Sequence, residues 1–220
     1  MKIIAEIPAR AGSQRIKNKN LRLLNGKPMI RYAVDAAKGS SLLNDVYVNS
    51  DSDEIGNYGK SLGVKYYKRP KRLASNQSTS DEYNYNFFEN INPDLLVQVN
   101  PVCPLLTTKD IDQIIEYFLN NDFDSLITVR KERLQVFCDG HAVNFDVSKP
   151  LPRTQDISPV LLCAWPVCIW RRETFMSSFK KNGQAVFSGK LGFFPVPLLT
   201  SLKISYEEDF LLVDKLMRIN

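Results

Sequence analysis

The sequence predicts an α/β fold: a doubly wound, mainly parallel sheet in one domain spanning residues 1–220. Three observations lead there. Over the first 130 residues, short apolar strand-like runs alternate with segments of helical periodicity. The run Ile3, Ile4, Ala5, Ile7 and the run at 94–100 (DLLVQVN) are apolar in character, as strands covered on both faces require. A chain of 220 residues suits one domain or one domain with an excursion. Crossovers between parallel strands are right-handed.

The elements follow in order. After the first strand, Pro8 opens a loop. Ile30, Ala33, Val34 and Ala37 share one helical face between Met29 and Lys38, and Gly39 ends that helix. Residues 45–49 (DVYVN) form a strand. Ser50, Asp51 and Ser52 cap a helix to about Leu62, which Gly63 stops. Val64 to Tyr67 is a strand, and Arg69 to Ser80 a polar loop. Ser80 or Asp81 caps a helix to Ile91. The strand at 94–100 is followed by a proline-interrupted loop. Thr107 or Thr108 then caps the helix of Ile111 to Leu119, and Asp124 to Val129 is a strand. Beyond it the rhythm changes. Gln135 to Phe145 predicts a hairpin turning at Asp139-Gly140. Leu161 to Trp170 is an apolar extended run. A helix at Arg172 to Lys180, closing strands at Leu191 to Val196 and Leu202 to Ser205, and an amphipathic helix at Glu207 to Arg218 complete the chain. Residues 131–170 thus form a β-rich excursion. Its run Leu161 to Trp170 is too apolar for an exposed edge and predicts either core or a subunit interface.

Composition narrows the function. No apolar run approaches the ~18 residues of a transmembrane helix. The chain opens on a strand without a leader pattern, which predicts a cytoplasmic protein. Cys103, Cys138, Cys163 and Cys168 form no CxxC pair and predict reduced thiols, not a zinc site or disulfide frame. His141 is the single histidine and follows the predicted turn, so it is expected to be exposed. The net charge of +5 is spread among 24 acidic residues, apart from the first loop and the stretch from Lys65 to Arg72. No aromatic-and-basic RNA motif accompanies it. An anionic small ligand fits better than nucleic acid.

The first loop carries that ligand's chemistry. Arg10, Arg15, Lys17 and Lys19 surround Gly12 and Ser13. Glycine admits close backbone approach, successive N–H groups can cradle an anion, and arginine presents a fork of donors to phosphate. Neither GxGxxG nor GxxxxGK[ST] is present. The alternative reading of these features alone is a solvated basic turn.

The ordered string decides between them. IPARAGSQRIKNKN, followed by LLNGKPMI, resembles the IPARGGSKGIPRKN and L-x-GKPLI strings of the acylneuraminate cytidylyltransferase family. That family includes the CMP-sialic acid, CMP-pseudaminate and CMP-legionaminate synthetases, with CMP-KDO synthetases as cousins. The resemblance implies a Rossmann-like sheet of the nucleotide-diphospho-sugar transferase type. It implies that Ala9, Arg10, Gly12, Ser13, Arg15, Lys19 and Asn20 hold the nucleotide, with Arg10 and Lys19 as the catalytic cations on the triphosphate. RPKRLASNQSTSDE resembles the family's RPAELASDTASS, which brings Arg69, Ser78 and Ser80 to the cytosine. Residues 100–106 resemble QPTSPLR, with Asn100 for Gln, Cys103 for Ser and Leu106 for Arg. The segment 152–156 (PRTQD) resembles the family's RxQD, which makes Arg153, Gln155 and Asp156 acceptor contacts.

Departures cluster late in the chain. Ala164, Trp165 and Pro166 stand in place of the family's NGA, and Val129 to Gln135 shows no HHPxK. LKISYEED stands where the family has IDIDTxED. Lys203 and Ser205 therefore occupy the positions of two aspartates that face Mg²⁺; Asp209 matches the later acid. Mg²⁺ is expected from the resemblance, with its ligands unmatched here.

The implied reaction is transfer of CMP from CTP to a sialic-acid-like 2-keto-3-deoxy sugar acid. The anomeric hydroxyl attacks the α-phosphorus, and pyrophosphate leaves. The implied setting is surface glycan synthesis by a homodimer joined through the excursion, with no nucleic-acid or membrane partner. Two alternatives stay open. One is a catalytically degenerate homologue serving as a nucleotide-binding or partner subunit. The other is a nucleotidyltransferase with a divergent, non-sugar acceptor.

Overall fold

The computed structural model describes residues 1–219. The chain begins with β1 (Ile3–Pro8), a short hairpin of β2 (Leu23–Leu24) and β3 (Lys27–Pro28), and α1 (Met29–Gly39). There follow β4 (Asp45–Ser50), α2 (Asp53–Ser61), β5 (Lys65–Lys68), α3 (Ser80–Ile91), β6 (Leu95–Val99) and α4 (Thr108–Leu119). The second half contains β7 (Ser125–Glu132), the hairpin β8 (Phe137–Cys138) and β9 (His141–Ala142), β10 (Val160–Arg171), α5 (Arg172–Asn182), β11 (Leu191–Pro195) and α6 (Glu207–Ile219). No helix among the described residues is long and apolar enough to cross a membrane.

Seven strands form one sheet in the order β11-β7-β10-β6-β1-β4-β5. β1 sits inside it, parallel to both β4 and β6. The alternation along β1 builds the two layers. Ile3, Ala5 and Ile7 face a core with α1, α4 and Ile55 of α2. Ile4 faces the opposite core with Phe87 and Phe88 of α3 and Phe175 and Met176 of α5. A third cluster seats α6 on the first loop through Ile16, Leu24, Met29, Phe210 and Val213. The central strands β1 and β6 are buried on both faces, the pattern of a doubly wound sheet.

Two expectations need correction, the strand at Leu202–Ser205 and the cap of α3. The run Leu161–Trp170, read as core or interface, is core over its second half. β10 runs antiparallel between β6 and β7, and Val167 to Trp170 are buried core. Only Leu161 and Leu162 of that run remain exposed large hydrophobics. The segment Leu202–Ser205 pairs with no strand; Ile204 is buried and its N–H donates to Val102 O at 2.8 Å. The α3 cap is Thr79, which shares a capping box with Glu82, and the helix starts at Ser80. Thr107 caps α4 in the same way with Asp110. The hairpin of the excursion turns as expected. Asp139 and Gly140 take φ of 48° and 80°, the two left-handed positions of a type I′ turn. His141 is exposed, as are Cys138 and Cys163, while Cys103 and Cys168 are buried and all four are free.

Candidate active site

The basic loop leaves the carboxyl end of β1, where ligands of open α/β sheets bind. Its course is pinned at several points. The buried Ala9 donates its N–H to Asn49 O at 2.9 Å, and Ala11 donates to Asp51 Oδ1 at 3.0 Å. Asn20, buried, donates its amide to Arg10 O at 3.0 Å. Ile16 is buried under α6. Gly12 has open space around it; an added Cβ would meet nothing within 4 Å.

The loop's cations converge. Arg10 Nη1 donates to Ser75 O at 3.0 Å, tying the first loop to the second. Lys19 Nζ donates to Ile204 O at 3.0 Å, and the Arg15 guanidinium lies 4.9 Å from the Tyr206 ring centre. Between them is a cleft of about 460 Å³ lined by Arg10, Ser13, Arg15, Lys19, Asn20 and Asn76, and closed by Pro101 and Val102. Three cations line it and no carboxylate does. The charge imbalance is felt by Lys19. Burial lowers its ammonium to about 8, and Arg15, Lys203 and Arg10 add to the effect while Cys103 opposes it. Burial holds the Cys103 thiol up at about 12. A site with surplus positive charge is suited to a polyphosphate.

Beneath the cleft lies a buried polar network. Glu6, on β1, is fully buried among α3-side residues, and its Oε1 accepts from Asn49 Nδ2. Arg69 is buried too, donating from Nε to Asn49 Oδ1 at 2.9 Å and from Nη2 to Asn49 O at 3.1 Å. Its guanidinium lies 4.2 Å from the Tyr83 ring centre. Burial raises the Glu6 carboxyl to about 7 against the pull of Arg69, Asn49 and Gln98. Arg69 is thus spent largely on internal contacts. Ser78 Oγ is buried without a hydrogen-bond partner among the described residues. Ser80 begins α3.

A second, smaller cavity of about 220 Å³ adjoins this network. Ser80, Tyr83, Gln98, Asn100, Trp165 and Lys203 are among its walls. Asn100, at the end of β6, donates its N–H to Pro166 O at 2.9 Å. The structure therefore brings Ser80, Asn100 and Lys203 together. Arg153, Gln155 and Asp156 lie elsewhere, in a short 3₁₀ turn of the excursion, and line neither cavity. Arg153 Nε pairs with Asp156 Oδ2 at 2.7 Å.

Sequence reasoning missed Asn76, Tyr83, Gln98 and Trp165. Asn76 stands in the same polar loop as Arg69, and Tyr83 lies one helical turn beyond Ser80. Trp165 occupies a position of departure, which was the available signal.

The residues at the two expected Mg²⁺ positions do not fit a divalent cation. Lys203 brings an ammonium that repels one, and it sits close enough to Lys19 to lower it. Ser205 offers a hydroxyl, and Asp209 is turned onto the N–H groups of Ser205 and Tyr206 at 2.8 Å each.

A family model described as Cytidylyltransferase matches residues 4–146, more than half of the chain. The chain belongs to that family and, with it, to the nucleotidyltransferases. Among curated relatives, post-translational flagellin modification protein B of Campylobacter coli is 28% identical, covering 98% of this chain and 95% of its own. The N-acylneuraminate cytidylyltransferase of Streptococcus agalactiae serotype V is 26% identical over 96% of this chain. This chain spans about half of that protein, 52% of its length. Among solved structures, a CMP:2-keto-3-deoxy-manno-octonic acid synthetase complexed with CTP superposes with a TM-score of 0.75 at 16% identity, covering 100% of this chain and 99% of the other. The 4-diphosphocytidyl-2C-methyl-D-erythritol synthase of Anaerococcus prevotii follows at a TM-score of 0.69 and 12% identity, covering 99% and 98%. These structural likenesses establish the Rossmann-like nucleotidyltransferase fold.

Proposed function

We propose that this protein transfers CMP from CTP to a sialic-acid-like 2-keto-3-deoxy sugar acid, for glycan synthesis in the cytoplasm. The carrying observation is the carboxylate-free cleft at the end of β1, with Arg10, Arg15 and Lys19 in its walls. The CTP held by the octonic acid synthetase and the acylneuraminate cytidylyltransferase relatives support the nucleotide and the acceptor class. In the reaction, the anomeric oxygen forms a bond to the α-phosphorus and its proton passes to solvent. The bond from the α-phosphorus to the bridging oxygen breaks, and pyrophosphate leaves with the electron pair. Arg10, Arg15 and Lys19 neutralise the charge of the triphosphate and of the leaving group. Gly12 and Ser13 leave room and donors beside it. Ser78, Ser80 and Asn100 supply short polar groups for the base edge, over the floor set by Arg69 and Asn49.

Pyrophosphate release with each of the four nucleoside triphosphates and a panel of sugar acids tests this. CTP is expected to be the productive donor; equal release from all four would overturn the base assignment. The Lys203 and Ser205 replacements favour one second reading, a nucleotide binder without turnover. Tight CTP binding with no pyrophosphate release from any acid is its signature.

We also propose a homodimer through the excursion. Leu134, Phe137, Val143, Val147, Leu151 and Leu161 are exposed there, an apolar concentration unusual for a free surface. Light scattering should give about twice the 25.1 kDa chain mass; a single 25 kDa species at micromolar concentration would overturn it.

A further inference from the structure

Glu6 is a fully buried acid on β1, the strand that delivers the basic loop. Its Oε1 accepts from Asn49 Nδ2, while its Oε2 has no hydrogen-bond partner among the described residues. Asn84 Nδ2, on α3, is buried without one as well. Burial has pushed the Glu6 carboxyl up to about 7, against the pull of Arg69, Asn49 and Gln98. Space at this point of a core could be filled by an apolar side chain, whereas a buried carboxyl with an idle oxygen lowers stability. Groups of this kind gather at functional sites.

The partner of Glu6 is the junction of the two loops that wall the cleft. Asn49 O accepts from the N–H of Ala9, the first residue after β1, at 2.9 Å. The same oxygen accepts from Nη2 of Arg69, the first residue after β5, at 3.1 Å, and Asn49 Oδ1 accepts from Arg69 Nε at 2.9 Å. Ala9 leads to Arg10. Arg69 opens the loop that carries Ser75, whose carbonyl accepts from Arg10, and Asn76, a wall of the cleft. An asparagine amide has a donor end and an acceptor end. A carboxyl oxygen at Glu6 calls for the Nδ2 end, so Oδ1 turns to Arg69. Glu6 thereby decides which way the amide points. The charged and titratable groups around Glu6 are Arg69, Tyr67 of β5 and Tyr83 of α3. Burial raises both phenols, Tyr83 to about 12, so the charge that Glu6 faces is Arg69. A protonated carboxyl keeps its carbonyl oxygen as an acceptor, and the amide holds its direction in either protonation state.

We propose that Glu6 is a positioning residue for the nucleotide. Through the amide of Asn49 it fixes the first residue of each loop, and with them the placement of Arg10 and Asn76 in the cleft. Glu6 touches no ligand; its effect is preorganisation, because loops already in place need no ordering when the nucleotide arrives. This rests on the cytidylyl-transfer reading above for the identity of the ligand, CTP, and adds a residue that no motif of the basic loop contains.

Calorimetry with CTP and thermal melting, run on the same variants, separate positioning from mere filling. Glu6→Leu is similar in size and gives Asn49 Nδ2 no acceptor. It should weaken CTP binding by about tenfold, the scale of one hydrogen bond. Glu6→Gln keeps an acceptor oxygen and should bind CTP within about threefold of the wild type. Asn49→Ser keeps the backbone bonds, removes the amide, and should lose about as much as Glu6→Leu. In the double variant the two losses should not add, because both break the same relay. Asn49→Ser carries the test by itself if Glu6→Leu does not fold. The proposal is overturned if Glu6→Leu, or Asn49→Ser in its place, lowers the melting temperature while CTP affinity stays within about twofold. It is also overturned if Glu6→Gln loses as much as Glu6→Leu, or if the losses of the two single variants add. The wild type separates the two levels: no CTP binding sinks the cytidylyl-transfer reading, whereas CTP binding that these variants leave unmoved sinks only the positioning role.

Discussion

The loop at 9–20 and the excursion at 131–170 each carry four basic residues, and the fold uses them in opposite ways. In the loop, Arg10, Arg15 and Lys19 line a cleft that no carboxylate lines. In the excursion, Lys149 pairs with Asp146 at 3.2 Å and Arg153 with Asp156 at 2.7 Å, while Arg133 Nη1 bonds Gln155 O and Ile157 O. Two of the excursion's four cations, Lys149 and Arg153, meet acids of the same segment, whereas no carboxylate lines the cleft that holds Arg10, Arg15 and Lys19. Residue type is the same in both. What differs is how many of them an acid of the same chain already answers.

The contrast deepens below the surface, where the loop rests on a buried acid–base network and the excursion's ions are exposed. Glu6 sets the largest expected effect. Its folded value, about 7, lies above its ordinary 4.5 because of burial. Between those values the folded state holds a proton that the unfolded state has released, so stability falls as pH rises from 4.5 to 7. The shift corresponds to at most about 3 kcal/mol. The stability difference between wild type and Glu6→Gln, measured by denaturant unfolding from pH 4.5 to 8, should move by up to that amount against the wild type. A pH-independent difference would show that Glu6 titrates as an exposed acid.

Arg10→Ala comes next. It removes a charged donor from the cleft and the tie to Ser75 O. CTP binding should weaken by roughly 1.5–3 kcal/mol, the scale for hydrogen bonds to charged groups. Calorimetry checks this, and an unchanged affinity would move Arg10 out of the site.

A smaller effect should appear as pH dependence. Lys19 in the free cleft is lowered to about 8, and a bound triphosphate would raise it again. Between the two values binding takes up a proton, so CTP affinity should fall as pH rises above 8, by at most about tenfold per pH unit. The groups that shift Lys19 are Arg10, Arg15, Lys203 and Cys103, and burial keeps the Cys103 thiol protonated to about 12. Lys19→Arg should flatten the slope, since arginine does not titrate there. A steep slope in that variant would assign the proton to another group.

How far the sequence reached follows the same divide. The β1 strand, its basic loop and the helices α1 to α4 were legible because each is local: apolar periodicity, a cap, a glycine stop. The Thr79 cap was obscured by adjacent Ser80 and Asp81, although Thr79 and Glu82 satisfy the capping-box spacing. The antiparallel insertion of β10 was not legible, because alternation and apolarity say nothing of strand direction or sheet order. Leu202–Ser205 imitates a strand in composition, but Ile204 serves as a plug against Val102, a contact 102 residues away in sequence that no local signal encodes. The meeting of Lys203, Trp165 and Asn100 in one cavity depends on that same tertiary placement.

The smallest expected effect falls on Arg153, and it tests the comparison most directly. The family resemblance makes Arg153 an acceptor contact. In the structure its Nε already meets Asp156 at 2.7 Å, its side chain is 73% exposed, and it lines neither cavity at the β1 end. An exposed pair of this kind contributes about 0.2–1 kcal/mol, reduced further by salt. Arg153→Ala should therefore lower stability by less than about 1 kcal/mol and raise the acceptor KM less than about fivefold, with kcat and CTP affinity unmoved. Asp156→Asn is the informative partner variant. If Arg153 is structural, freeing it from Asp156 gains nothing for the acceptor. If it is held in reserve for a substrate carboxylate, freeing it should lower the acceptor KM, and Arg153→Ala should raise that KM tenfold or more. Steady-state kinetics on the two variants, with the acceptor varied at saturating CTP, decides whether the excursion's charges answer only one another.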